Sequence, residues 1–217
     1  MRRIALLLAP VIVCTACTLA QRQSYRLTFD LQNAPIQEEL TAASLRLIDQ
    51  QAQTLKTNLN DKSVETASGS VVISVSLADS KQMPAMTAFL TSPFSIRMMT
   101  KTTGKGDVTV EGQGNFTDTG FKQEDLFWAE AGEDQTTGKA AVRLLFTTEG
   151  RDRFQKIVLA NRGKTIGLFV QDRLVSTLVA DQLEDDVVIR GIPTIAVASA
   201  FTDRINTGLH VTFTPAS

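Results

Sequence analysis

The sequence is poor in the residues from which most enzyme chemistry is built. Its 217 residues include 2 cysteines, 1 histidine, 1 tryptophan and 1 tyrosine. Two cysteines exclude a disulfide framework and a zinc ribbon, and a lone histidine excludes most His-based catalysis. Neither sign of charge is in excess: 22 Lys and Arg stand against 23 Asp and Glu, a formal net charge of −1. That balance argues against a nucleic-acid binder, which needs a basic surface. No apolar run reaches the roughly 20 residues of a membrane-spanning helix. What is present is ordinary for a folded chain. Apolar residues make up 43% and charged residues 21%, which argues against wholesale disorder. The length suits one large domain or two small ones with a real core.

The N-terminus has the charged, apolar, small order of an export signal: Arg2 and Arg3, then the apolar run 4–13, then small residues. Cys17 follows Thr15 and Ala16. This resembles the lipobox of bacterial lipoproteins, with Cys14 standing where that family prefers Leu. The expectation is a signal peptide over 1–16, lipid attachment at Cys17 and a tether over 17–24. Thr18 after the cysteine, rather than Asp, points to the outer membrane more than the inner. The alternative is cleavage after Ala20 and release as a soluble periplasmic protein. Removing Arg2 and Arg3 leaves 20 basic residues against 23 acidic ones, and lipidation at Cys17 leaves no free thiol.

From residue 25 the pattern is of strands and helices in turn. Tyr25, Leu27, Phe29 and Leu31 alternate as in a half-buried strand. Pro35 opens a helix whose apolar positions, Ile36, Leu40, Ala43, Leu47 and Leu55, run to about residue 58, with Glu38 and Glu39 near its start. Strands at 64–67 and 71–77 flank the turn residues Ser68, Gly69 and Ser70 and predict a hairpin. A second helix over 81–91 must take Pro84 in its first turn, and a strand follows at 94–99. The order βαββαβ over 25–101 predicts a ferredoxin-like layer. Gly104, Gly106, Gly112 and Gly114 then suggest a linker or crossover at 102–114, with Val108 and Val110 as at most a short strand.

The second half predicts a short helix at 124–131 with Phe127 and Trp128 inward, and a strand at 140–147. A helix at 149–161 is capped by Gly163, and strands follow at 165–170, 174–178 and 187–190. A helix runs from Pro193 to Gly208, and a closing strand spans 209–213. In that alternation His210 falls opposite Leu209 and Val211 and faces outward.

The series Asp125-Leu126, Ala129, Gly138, Val142, Phe146, Glu149-Gly150, Phe154, Asn161, Gly163-Lys164, Ile166 and Ile189-Arg190-Gly191, with Phe29-Asp30-Leu31-Gln32 at the start, resembles the first periplasmic domain of SecD, a membrane subunit that assists protein export. The sequence departs from that pattern at Asp172-Arg173, Ser176-Thr177-Leu178 and Asp185-Asp186. The resemblance implies an α+β chain in two parts. A ferredoxin-like βαββαβ base over 25–111 would be completed by 209–214, and an α+β head subdomain over 112–208 would be inserted before the last strand. A hinge would lie at 102–114 and Gly208. SecD is similar to proton-driven transporters, and no membrane segment follows residue 214 here to hold the intramembrane carboxylates.

Other candidate sites are weaker. Gly163-Lys164-Thr165 has Val158 where a phosphate loop needs glycine, and it runs from helix to strand. Glu184, Asp185 and Asp186 read as a solvated turn rather than a calcium site. Arg151, Arg153, Lys156 and Arg162 read as a solvent face, and Glu130 and Glu133 are the acid pair an enzyme would have to use. The expectation is a non-enzymatic, membrane-tethered periplasmic module with no cofactor, metal or small-molecule substrate. It would bind polypeptide or an envelope protein partner, with strand addition as the binding mode. The alternative is a structural lipoprotein that scaffolds an envelope assembly.

Overall fold

The computed structural model describes residues 22–67, 70–134, 137–180 and 187–216. Cys14, Cys17, Ser68, Gly69 and the acids at 184–186 lie outside the described residues. The chain is α+β, with a ferredoxin-like layer and an inserted α+β part.

The first layer opens with β1 (Arg22–Phe29), in which Tyr25 and Leu27 are buried and Arg26 is exposed. Helix α1 (Ala34–Thr54) starts where Asn33 Oδ1 accepts the Ile36 N–H, with Pro35 in the first turn. Glu38 and Glu39 fall one turn further in. Strands β2 (Leu59–Ala67) and β3 (Ser70–Leu77) pair antiparallel, with Val64 opposite Ile73. Helix α2 (Met83–Thr91) follows a single 3-10 turn and holds Pro84 in its first turn. The layer is closed by the C-terminal strand β12 (Val211–Ala216), which sets Phe213 beside Leu27, in the order β12-β1-β3-β2. Tyr25, Ile48, Ile73, Met86 and Phe213 form its core. The Tyr25 hydroxyl meets Thr87 Oγ1 at 2.7 Å. Burial pushes that phenol's pKa upward, and the hydrogen bond opposes the shift.

The strand expected to close this layer from 94–99 does not. Strand β4 (Ile96–Thr102) lies in the middle of a second sheet, built with β5 (Val108–Val110), β6 (Gly114–Asp118), β9 (Thr165–Val170) and β10 (Arg173–Val179) in the order β10-β9-β4-β6-β5. The physical reason is in the burial. Met98 and Met99 are neighbours, both fully buried, and pack into different clusters. A strand apolar on both faces belongs inside a covered sheet. β12 buries Phe213 between exposed Thr212 and Thr214, which suits a layer packed on one face only. The segment 102–114 is likewise no linker. It forms the β5–β6 hairpin, with Gly112 and Gly114 at φ of 71° and 99° in its turn.

A three-stranded sheet holds β7 (Leu126–Glu133), β8 (Ala140–Phe146) and β11 (Val187–Ile192) in the order β11-β8-β7. The helix expected at 124–131 is reduced to one 3-10 turn at Gln123–Asp125. A bulge between Leu126 and Trp128 turns both Leu126 and Ala129 inward. That three-residue spacing imitates a helix, although the segment is a strand. Phe127 consequently points outward and is 43% exposed. Helices α3 (Thr148–Ala160) and α4 (Ile195–His210) supply Phe154, Ile157, Val158, Ala198 and Ile205 to a core shared by the second and third sheets. α4 does not stop at Gly208. It runs on to His210 and passes into β12 with no intervening loop.

Two glycines sit where helices meet other backbone or rings. Gly208 lies against the Phe94 ring, so it is a packing position within a helix rather than a hinge. Gly150, in the first turn of α3, lies against the Asp125 carbonyl, where a methyl group would overlap the backbone. The Gly150→Ala variant is expected to lose about 3 kcal/mol, at the upper end of overpacking costs, because backbone cannot step aside. Urea denaturation would check it, and a loss under about 1 kcal/mol would show that the α3 start yields freely.

Candidate functional site

The described residues converge on α4. Asp203, Asn206 and His210 follow the helical spacing i, i+3, i+7 and form one polar stripe. Asp203 is 7% exposed and takes both arms of Arg46 from α1, with Nε and Nη2 each at 2.7 Å. This bidentate bond holds the Arg46 guanidinium pKa above its ordinary value. Arg46 itself is half-exposed, so the pair adds little net attraction. Its loss would nevertheless strand a buried carboxylate, which is the larger effect.

Asn206 is matched to the β7 edge. Its Oδ1 accepts the Ala129 N–H at 2.7 Å and its Nδ2 donates to the Ala129 carbonyl at 2.9 Å. The side-chain amide therefore replaces one residue of a neighbouring strand.

His210 is buried, 7% exposed, and not outward as the alternation suggested. The reason is that residue 210 ends a helix instead of lying inside a strand. Its Nδ1 donates to Asp30 at 2.9 Å and its Nε2 donates to the Phe127 carbonyl at 2.6 Å. Both partners, a carboxylate and a backbone carbonyl, are acceptors that a ring N–H can meet. Trp128 stacks on the ring at 5.6 Å. Asp30 is mostly exposed, so the Asp30 contact is weak and the buried bond to Phe127 matters more.

The next stripe of α4 (Arg204, Thr207, Gly208) lines a groove of about 430 Å³ together with Phe89, Pro93 and Phe94. The groove opens where the chain leaves α2 for β4. Gln171, in the tight turn between β9 and β10, stands at it too.

Sheet edges differ in how they are guarded. Asn206 and His210 occupy β7, β2 carries Asp61, Lys62 and Glu65, and β12 carries Pro215. β10 is guarded least among the described residues, by Arg173 at its start and one register shift near it. After Arg173 its residues, LVSTLV, hold no charge, proline or glycine, and Val175 and Val179 are 38% and 55% exposed. A register shift between Leu174 and Ser176 sends Leu174 to the cluster of Met99, Phe116 and Phe169 and Leu178 to the opposite core.

Sequence candidates fare unevenly. Glu130 and Glu133 are exposed on β7 and line a shallow hollow of about 270 Å³ with Arg143 and Arg190. No group of three His, Cys, Asp or Glu suited to a metal occurs among the described residues. Gly163 and Lys164 form the turn from α3 to β9, where the Gly163 N–H donates to the Ala180 carbonyl. Arg153 does not belong to a free solvent face, because its Nε lies 3.0 Å from buried Asp125. The Asp203, Asn206 and His210 stripe was missed. Its signal was the run of polar residues in the second half of α4, with Asp203, Asn206 and His210 at helical spacing.

Replacing Asn206 by leucine is expected to cost about 2–4 kcal/mol, because it leaves the buried N–H and C=O of Ala129 without partners. Thermal unfolding would read the loss. Hydrogen exchange at the Ala129 amide should speed up selectively. Unchanged protection there would show that another group holds the edge.

No protein-family model and no curated protein matches the chain. Solved structures do. A structure of SecDF, a membrane component that enhances protein export, aligns over 89% of this chain and 98% of that one at 17% identity and a TM-score of 0.49. SecDF from Thermus thermophilus, a translocon-associated membrane protein, gives 16% identity and 0.49 over 89% of this chain. SecDF in its super-membrane-facing form gives 17% identity and 0.50 over 90% of this chain. This chain spans 30% of the length of each of the last two. No helix among the described residues is long and apolar enough to cross a membrane. The chain has a SecD-like fold.

Proposed function

We propose that this chain is a non-enzymatic periplasmic module, tethered to a membrane by lipid at Cys17, that binds an extended polypeptide segment of an envelope or exported protein. The ferredoxin-like layer serves as base, and the second and third sheets with α3 and α4 serve as head. The observation that carries the reading is the β10 edge. A terminal strand offers a row of unpaired N–H and C=O groups, and natural sheets ordinarily block such rows with charge, proline or a covering element. Among the described residues the LVSTLV run sets no charge or proline on that row, while β2, β7 and β12 carry such devices. Extended backbone is the chemistry that satisfies it, with main-chain hydrogen bonds giving affinity and Val175 and Val179 giving apolar contact. SecDF, whose fold this chain shares, enhances protein export. That fold context favours a polypeptide over other ligands, although fold alone does not decide function.

A photocrosslinking residue at Thr177 should capture polypeptide in intact cells, while one at Glu65 on the charged β2 edge should not. Placing lysine at both Val175 and Val179 should reduce capture about tenfold with a stability change within about 0.5 kcal/mol, as for surface substitutions generally. Equal capture from both edges, or none from Thr177, would remove the reading.

The tether has its own test. Cys17→Ser should abolish incorporation of labelled fatty acid and move the protein from the membrane fraction to the periplasmic fraction. A wild-type protein that takes up no label and fractionates as soluble would instead support cleavage after Ala20.

A further inference from the structure

The arginines without an ion pair among the described residues are otherwise exposed to solvent: Arg26, Arg143, Arg151, Arg162 and Arg173. Arg204 differs from them in being partly buried, and Arg97, the other partly buried arginine, pairs with Asp172. Arg204 is half-buried in the groove between α2, β12 and α4, its guanidinium 4.6 Å above the Phe89 ring, and no carboxylate lies within ion-pair reach of it among the described residues. Its charged neighbour is Arg173, at the start of β10. Burial and then Arg173 both push the Arg204 pKa down, so the groove holds a positive charge that its surroundings do not offset. One turn along the same face of α4, Thr207 lines the groove at 1% exposure, and its Oγ1 has no hydrogen-bond partner. A buried hydroxyl without a partner is costly unless something else supplies one. The remaining walls are mixed: Phe89, Pro93 and Phe94 give an apolar side, and Ser92, Gln123 and Gln171 a polar one.

We propose that this groove accepts a single carboxylate carried on an apolar body. Arg204 would supply the planar fork and Thr207, after a side-chain rotation that brings its buried hydroxyl to the groove, a donor, while the aromatic and proline walls hold the apolar part. Arg204 is the one cation lining the groove among the described residues, and a single guanidinium fork matches the two oxygens of a monoanionic carboxylate. The groove adjoins the proposed polypeptide edge, because Gln171 at the groove stands two residues before Arg173, where β10 begins. The source of the carboxylate is therefore the bound polypeptide, as a side chain or a chain end, and in this respect the inference rests on the reading given above.

Titration of the isotope-labelled full chain with 4-phenylbutyrate, followed by NMR, tests the groove without any peptide. The acid should shift the Arg204 side-chain N–H and the Gly208 amide saturably, and 4-phenylbutanol should bind at least tenfold more weakly. Thr207→Val keeps the shape and removes the unpartnered hydroxyl. It should lower affinity for the acid several-fold while melting at or above the parent temperature. Arg204→Met should lower it at least tenfold. Equal binding of acid and alcohol, or unchanged affinity in Thr207→Val, would overturn the carboxylate site. A second titration uses a β-prone eight-residue peptide as free acid, as C-terminal amide, and as amide with one internal Glu. A preference of about tenfold for either acidic form identifies chain end or side chain. Equal binding of all three leaves the polypeptide reading standing and removes this inference. Binding of phenylbutyrate with no binding of any peptide removes the polypeptide source and the reading beneath it.

Discussion

The structure depends on α4 being continuous with β12. A helix packed under the three-stranded sheet becomes, at His210, a strand of the ferredoxin-like layer, with no loop between. No flexible segment separates the two at that point, so a displacement of one is transmitted to the other through rigid secondary structure. The polar stripe on α4 reinforces this. Asp203 reaches α1, Asn206 reaches β7, and His210 reaches both the Phe127 carbonyl and Asp30, the residue after β1. The magnitudes rank these contacts. The exposed Asp30 end contributes least, and the buried bonds to β7 contribute most, because losing them leaves backbone groups without partners.

This coupling relocates any hinge. The crossings between the layers are the short segment from Ser92 to Ser95 and the α4–β12 passage, and Phe94 of the first packs on Gly208 of the second. The two crossings therefore touch. Motion between the layers would have to slide α1 over α4 and break the Arg46–Asp203 fork, which exposes the Asp203 carboxylate as it does so. Bending in a glycine-rich linker is not available, because the glycines at 112 and 114 are consumed by a hairpin turn.

Much of the fold was legible because local rules and tertiary packing agree. Alternation marks β1 and β3, Pro35 and Pro84 mark helix starts, and the apolar stripe marks α1. Two failures share one cause, which is that a local change of period flips a side chain. The bulge at β7 made a strand look helical, and the helix running on to His210 reversed the side of that ring. β4 was misplaced for a different reason. The sequence shows that Met98 and Met99 are adjacent, but it does not show whether a second face exists to bury the extra one. The motif residues that resemble SecD have structural explanations. Asp125 takes the Lys122 N–H and the Arg153 guanidinium, Gly150 lets α3 approach it, Asn161 caps α3 and Gly163 turns the chain at a φ of 76°. Such residues report a fold.

Function is written instead in what the fold leaves unsatisfied. The β7 edge shows that this chain can guard a strand when it needs to, using one asparagine and one histidine in place of a neighbouring strand. Against that background the bare β10 edge stands out, since unguarded edges expose a protein to aggregation. A single lysine in place of Val179, at the most exposed position of the strand, would reduce that risk at little structural cost. The same contrast holds at Arg204, which is partly buried with no carboxylate in reach among the described residues, while partly buried Arg97 pairs with Asp172. Both unmet demands, one for extended backbone and one for negative charge, lie on either side of the β9–β10 turn. A single ligand of extended backbone bearing a carboxylate would satisfy both, and two unrelated ligands are not required.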